Sequence, residues 1–199
     1  MGLFDNSSKN KNAPAKNIES IPYDYYGYDM VFEEGTTDPS AYAGINALIT
    51  NSKMDMACVE GYDLLTEDST EDDFWEFYGA WIDELEQNGF IVEFTIAEDI
   101  NTFAADINKI LRSIGASQLL NEEEVINSYR TEVVKYSFMG EPVNADFKYD
   151  ILEANIVAAE LRKIGYELIA LFNGMDNDMK AVVPLDKVSA LQELEGRIK

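Results

Sequence analysis

The chain has 199 residues, of which 38 are acidic and 15 are basic, and it carries a formal net charge of −23 with no histidine. This length fits one domain that can bury a core, whereas the missing histidines exclude serine or cysteine nucleophiles that need an imidazole base. A single cysteine excludes an intramolecular disulfide and the usual zinc sites, and the excess of acid argues against nucleic acid as a partner.

The amino-terminal part is predicted to comprise an arm and the start of a domain. Residues 1–22 are rich in Asn, Ser and Lys and predict a flexible arm, and residues 23–199 are predicted to form one globular domain. No secretory signal or apolar span is recognisable, so we expect a cytoplasmic protein that does not bind membranes. Four tyrosines between Tyr23 and Tyr28 predict either the entry into a strand at 28–33 or a surface for oligomerisation.

The first helix is predicted to begin at Asp38 as N-cap, with Pro39 in the first helical position. Apolar residues then recur at helical spacing: Tyr42, Ile45, Leu48 and Ile49. Cys58 follows between two apolar neighbours, a setting that predicts a buried and inert thiol.

A window without basic residues comes next. Between Lys53 and Lys109 the chain has sixteen Asp and Glu but neither Lys nor Arg. Residues 69–88 predict an amphipathic helix, because acids crowd its first turn and apolar residues follow with a helical period. That apolar stripe comprises Phe74, Phe77, Tyr78, Trp81, Ile82 and Leu85. Asn88-Gly89 is typical of a helix end, and residues 90–96 predict a strand.

The second half alternates helices and strands. Helices are predicted at 100–114, 121–128, 150–164 and after Pro184; strands are predicted at 131–138, 166–172 and 179–183, and residues 143–149 are a candidate hairpin partner of 131–138. Together these elements predict an α+β (or α/β) fold. We expect a single domain in which five or six helices pack on a mixed central β-sheet.

Two segments carry a resemblance to known proteins. One is Tyr166–Phe172 with the Asp-rich turn, the run Val182–Lys187 and the helix that follow it; the other is the helix, glycine and strand of Phe74–Phe94. Together they cover about a third of the chain, and they resemble a family of uncharacterised bacterial proteins. The resemblance implies a bacterial cytosolic α/β domain, and the family has no activity or catalytic residues to carry over.

Acidic residues of the window form the candidate binding surface. They are Asp68, Glu71, Asp72, Asp73, Glu76, Asp83 and Glu84. A large negative field favours cationic partners, so one hypothesis is a non-enzymatic binding protein, immunity- or inhibitor-like, that docks on a basic protein partner. The same acids also suit the amino terminus of a helix, where the dipole favours negative charge.

The alternative is an enzyme or a small-ligand or divalent-metal domain that uses this carboxylate cluster, since Ca²⁺ and Mg²⁺ need several converging oxygens. The spacing is not that of an EF-hand, and no glycine-rich phosphate loop occurs. We therefore predict no catalytic residue, no metal ligand and no cofactor, and we favour the hypothesis of a non-enzymatic binding protein.

Overall fold

The fold is α+β, with six helices and four strands in the part of the chain that the computed structural model describes: residues 28–30, 38–66, 69–94, 99–137, 145–171 and 178–198. In chain order these elements are β1 (Tyr28–Met30), α1 (Pro39–Ile49), α2 (Glu71–Gln87), β2 (Ile91–Phe94), α3 (Ile100–Ile114), α4 (Glu122–Ser137), α5 (Ala145–Lys163), β3 (Tyr166–Leu171), β4 (Asp178–Pro184) and α6 (Val188–Glu195). The predicted arm at 1–22 lies outside the described residues.

The four strands form one mixed sheet in the order β1-β3-β4-β2. β1 runs parallel to β3, with Tyr28 opposite Ile169, whereas β4 is antiparallel to both β3 and β2. Ala181 of β4 has Ile169 on one side and Ile91 on the other. The two central strands are rich in buried aliphatic residues because helices cover them. The predicted mixed sheet is confirmed.

The strand predicted at 131–138 is wrong for residues 131–137, and the hairpin partner predicted at 143–149 is wrong for residues 145–149. α4 continues as a helix to Ser137, and α5 already begins at Ala145. Val125 is fully buried, and Tyr129 and Val133 pack against the core one and two helical turns later. α4 lies against α3 and α5, and this packing outweighs the strand propensity of residues 131–137.

Helix ends follow the sequence closely elsewhere. The Asp38 carboxylate accepts hydrogen bonds from the backbone N–H groups of Ser40 and Ala41, as an N-cap should. α3 ends at Gly115 with φ of 75°. Arg197, just beyond α6, donates to the Asp38 carboxylate and to the Ser40 hydroxyl, each at 2.6 Å. The carboxyl-terminal helix is thereby attached to the start of α1.

The buried side chains form one continuous cluster between the helices and the sheet. Residues 152–158 of α5 are all buried, so these two turns of the helix are enclosed on every side rather than on one stripe. Two buried acids have cations beside them: Glu160 of α5 pairs with Lys163, and Glu167 of β3 pairs with Arg162. This pairing reduces the cost of burying the two carboxylates.

Candidate functional site

α2 carries most of the predicted acidic surface, and its amino terminus is a capping box. The Thr70 backbone N–H donates to the Asp73 carboxylate at 2.9 Å, and the Asp73 N–H donates to the Thr70 hydroxyl at 3.3 Å. Hydrogen bonds from the Thr70 side chain and backbone hold the pKa of Asp73 below its usual range. Asp73 is therefore exposed, but its carboxylate is engaged by the helix itself.

Four exposed carboxylates lie along the outward face of α2, and we call them the acidic stripe: Asp72, Glu76, Asp83 and Glu86. At about 100° per residue they fall within roughly 80° of arc, and they span about 21 Å of helix. Among the described residues, none of the four has a cationic partner; the ion pairs join other side chains. Sequence analysis had not included Glu86, although its helical angle would have identified it.

The remaining predicted residues play other parts. Glu71 is exposed but lies to one side of the stripe. Glu84 is half-buried, and its carboxylate accepts from the Asn88 side-chain amide at 3.2 Å, which helps to close the helix end. Asp68 lies outside the described residues. The structure thus places Asp72, Glu76 and Asp83 on one surface and separates them from Asp73 and Glu84.

The opposite face of α2 is an aromatic core. The rings of Phe77 and Trp81 are parallel with centroids 6.2 Å apart, and Tyr42 of α1 meets both rings edge-on. The Trp81 indole N–H donates to the Asn46 side-chain oxygen at 3.1 Å. Burial raises the pKa of Tyr42 and of Tyr78 well above the ordinary value, so both phenols stay neutral. The acidic stripe is therefore carried on a rigid base.

The two lysines that bracket the window are engaged within the fold. The Lys53 ammonium donates to the Ser113 carbonyl at 2.6 Å, beside the carboxyl end of α3. A cation is favourable there, because partial negative charge collects at the last helical carbonyls. Lys109 pairs with Asp106 one turn earlier on the same helix. Neither lysine neutralises the acidic stripe.

Cys58 is exposed, so the prediction of a buried thiol is wrong. It ends a short 3₁₀ turn, Met56–Cys58. With three residues per turn, Met56 and Val59 point in the same direction, and both are buried. The core therefore takes the residues on either side, while Ala57 and Cys58 face solvent.

Two features are absent from the described residues. Within the described ranges, no three His, Cys, Asp or Glu side chains come close enough together to hold a metal ion. In the same ranges, none of the helices combines the length and apolarity needed to cross a bilayer. The carboxylates of the acidic stripe are dispersed along a helix rather than converging on one point, an arrangement suited to a broad contact.

Comparisons with known proteins do not add a function. No family model, curated protein or solved structure matches this chain. The resemblance to uncharacterised bacterial α/β proteins therefore stays a prediction, and any function has to be argued from the side chains themselves.

Proposed function

We propose that this is a non-enzymatic binding protein that docks on a basic protein partner through the acidic stripe of α2. The observation that carries the proposal is the stripe itself. Four solvent-facing carboxylates lie along one side of a helix, and no cation of the described residues neutralises them. The formal charge of −23 adds a long-range attraction for cations.

The way α2 is held supports a docking role. Its inner face is fixed by stacked rings and by the Trp81 hydrogen bond to Asn46, so the carboxylates keep their spacing before a partner arrives. Preorganised charge lowers the entropy lost on binding and mainly accelerates and orients the encounter. An immunity- or inhibitor-like role follows if the partner's basic surface ordinarily binds a polyanion.

The single cysteine suits a reducing compartment, and we propose a cytoplasmic location.

The test compares two variants that each lose three negative charges. The stripe variant combines Asp72→Asn, Glu76→Gln and Asp83→Asn, and it leaves the Thr70–Asp73 capping box intact. The control variant combines Glu123→Gln, Asp186→Asn and Glu193→Gln, three exposed acids elsewhere. Circular dichroism checks that both are folded.

Wild-type and variant proteins are then immobilised, and proteins retained from a bacterial lysate are identified at low and at physiological salt. We expect a basic protein that the wild type and the control retain and the stripe variant loses, with weaker retention at higher salt because exposed charges are screened. Equal retention by both variants, or no basic protein at either salt, would contradict the proposal.

A further inference from the structure

A surface cavity of about 430 Å³, open to solvent, lies at the carboxyl end of α1 and shares no residue with the acidic stripe. Ala43, Asn46 and Ala47 of α1 line one side, and residues 52–56 of the following segment line the other. Its volume falls within the range of roughly 300–1,000 Å³ that is typical of ligand sites. None of its lining residues belongs to the capping box of α2 or to the aromatic rings beneath that helix.

The walls of the cavity are partly apolar, and the hydrogen bonds of one buried side chain hold them in position. Ala43 and Ala47 supply methyl groups, and Met54 and Met56 supply thioethers, which adapt their shape to a neighbouring alkyl chain. Asn46 is 1% exposed. Its amide donates to the Met54 carbonyl at 2.9 Å, and its oxygen accepts from Trp81. One buried side chain thus joins the cavity wall to the core beneath α2.

The lining carries two charged groups, the Lys53 ammonium and the Asp55 carboxylate, and the carboxylate is the one left available to a ligand. The Asp55 carboxylate is exposed, and one of its oxygens accepts from the Ala57 backbone N–H at 3.0 Å. Its other oxygen remains able to accept from a ligand. The carboxyl end of α1 adds partial negative charge. The Lys53 ammonium does not pair with Asp55 within the described part of the chain, because it is held on the Ser113 carbonyl.

We infer that this cavity takes one lysine or arginine side chain of the basic partner, an inference that rests on the proposed function. Lysine and arginine combine an apolar stem with a charged head. The stem packs against the alanine methyls and methionine thioethers, and the head donates to the Asp55 carboxylate. The cavity is therefore a specific anchor beside the less selective attraction of the acidic stripe.

The experiment is an NMR titration of the ¹⁵N-labelled full chain with three short capped peptides, Ac-Gly-X-Gly-NH₂, where X is lysine, arginine or norleucine. Norleucine keeps the alkyl stem and lacks the charge. The variant Asp55→Asn removes the carboxylate but preserves the cap, because an asparagine oxygen also accepts from the Ala57 N–H. Asp63→Asn is the matched control, an exposed acid outside the cavity.

We expect saturable shifts at residues 43–47 and 52–56 with the lysine or arginine peptide, and about fivefold weaker binding of the norleucine peptide, which keeps the stem but loses the charge pair. Asp55→Asn should weaken this binding about fivefold, as for loss of one exposed charge pair worth about 1 kcal/mol, and Asp63→Asn should leave it unchanged. Equal binding of norleucine, or an unchanged affinity in Asp55→Asn, would overturn the inference. The proposed function would still hold if, in the lysate experiment, only the stripe variant lost the basic partner. Failure of the inference and failure of the proposed function are therefore distinguishable.

Discussion

Two glycines inside helices allow helix propensity and packing to be measured separately. Gly79 lies on the outer face of α2 between Glu76 and Asp83, and a Cβ added there would have nothing within 4 Å. Gly44 lies in α1 where it meets α6. A Cβ at Gly44 would come within 2.8 Å of Leu194 Cδ1 and 3.0 Å of Leu194 Cδ2. The same substitution, glycine to alanine, therefore meets open space at one site and a packed side chain at the other.

The magnitudes follow from this difference. Replacing a glycine in a helix interior by alanine stabilises the folded state by about 0.5–1 kcal/mol. Gly79→Ala should show that gain unopposed. At Gly44 the same gain is opposed by an overlap with the terminal methyl groups of Leu194, a half-buried side chain that can shift off its rotamer at a cost of about 0.5–1.5 kcal/mol. Because the propensity gain is common to both variants, the difference between their free energies of unfolding measures the packing cost alone, about 0.5–1.5 kcal/mol.

Urea unfolding followed by tryptophan fluorescence is the assay, since Trp81 is fully buried among aromatic rings. In the Leu194→Ala background the overlap is absent, so adding Gly44→Ala there should raise the free energy of unfolding above that of Leu194→Ala alone. The reasoning is refuted if Gly79→Ala is no more stable than the wild type, or if Gly44→Ala is as stable as Gly79→Ala.

Three further predictions use other parts of the fold. Hydrogen bonds from Ser40 and Arg197 hold the pKa of Asp38 below its ordinary value, so its carboxylate stabilises the protein above about pH 4 and loses that contribution as the pH falls through the lowered pKa. The difference in urea stability between the wild type and Asp38→Asn should therefore be constant from pH 7 to pH 5 and shrink below about pH 4. Asn155→Leu should raise urea stability by about 1–3 kcal/mol, because both polar atoms of this amide are buried without a partner among the described residues. Cys58 in the native protein should react with Ellman's reagent within about tenfold of the rate in the urea-unfolded chain, as an exposed thiol does.

Each of the three has an outcome that contradicts it. A stability difference that stays constant down to pH 3 would mean that the charge of Asp38 does not matter to folding. A less stable Asn155→Leu variant would mean that the amide makes a bond that the structure does not show. A Cys58 thiol that reacts far more slowly in the native protein than in the unfolded chain would mean that it is buried.

Sequence reasoning succeeded where one periodicity dominated. The apolar stripe from Phe74 to Leu85 and the acidic first turn predicted α2 almost to its ends. Asp38 with Pro39 marked the start of α1, and Gly115 marked the end of α3. In each case the local signal and the packed structure favour the same conformation.

It failed where the local signal was ambiguous. The segment at 131–138 has high strand propensity from its β-branched and aromatic residues, but Val125, Tyr129 and Val133 are also four residues apart, which is helical spacing. Only contact with α3 and α5 decides between the two. The prediction for Cys58 failed for a related reason. In a 3₁₀ turn every third residue points the same way, and the apolar neighbours of Cys58 do not reveal which residues of the turn face the core.

The candidate site was predicted as a region but not residue by residue. Composition identified the acid-rich window, yet it could not separate Asp73, which caps a helix, from Asp72, which faces solvent. It also could not predict which acids elsewhere are paired with a cation, because pairing depends on partners that are distant in sequence or on an adjacent element. Arg162 reaches Glu167 across the turn between α5 and β3, and Arg197 reaches Asp38 across the whole chain.

The engagement of cations elsewhere in the fold explains why the negative charge of α2 remains unbalanced. Cations in the described part of the chain are largely engaged with carbonyls, carboxylates or a ring away from the stripe: Lys53, Lys109, Arg162, Lys163, Lys180 and Arg197. A cation already held in such a contact cannot move to α2 without breaking it, so the charge asymmetry is a property of the folded state and not only of composition. Salt should therefore weaken partner binding far more than it weakens the fold, because the internal pairs are partly buried whereas the acidic stripe faces solvent.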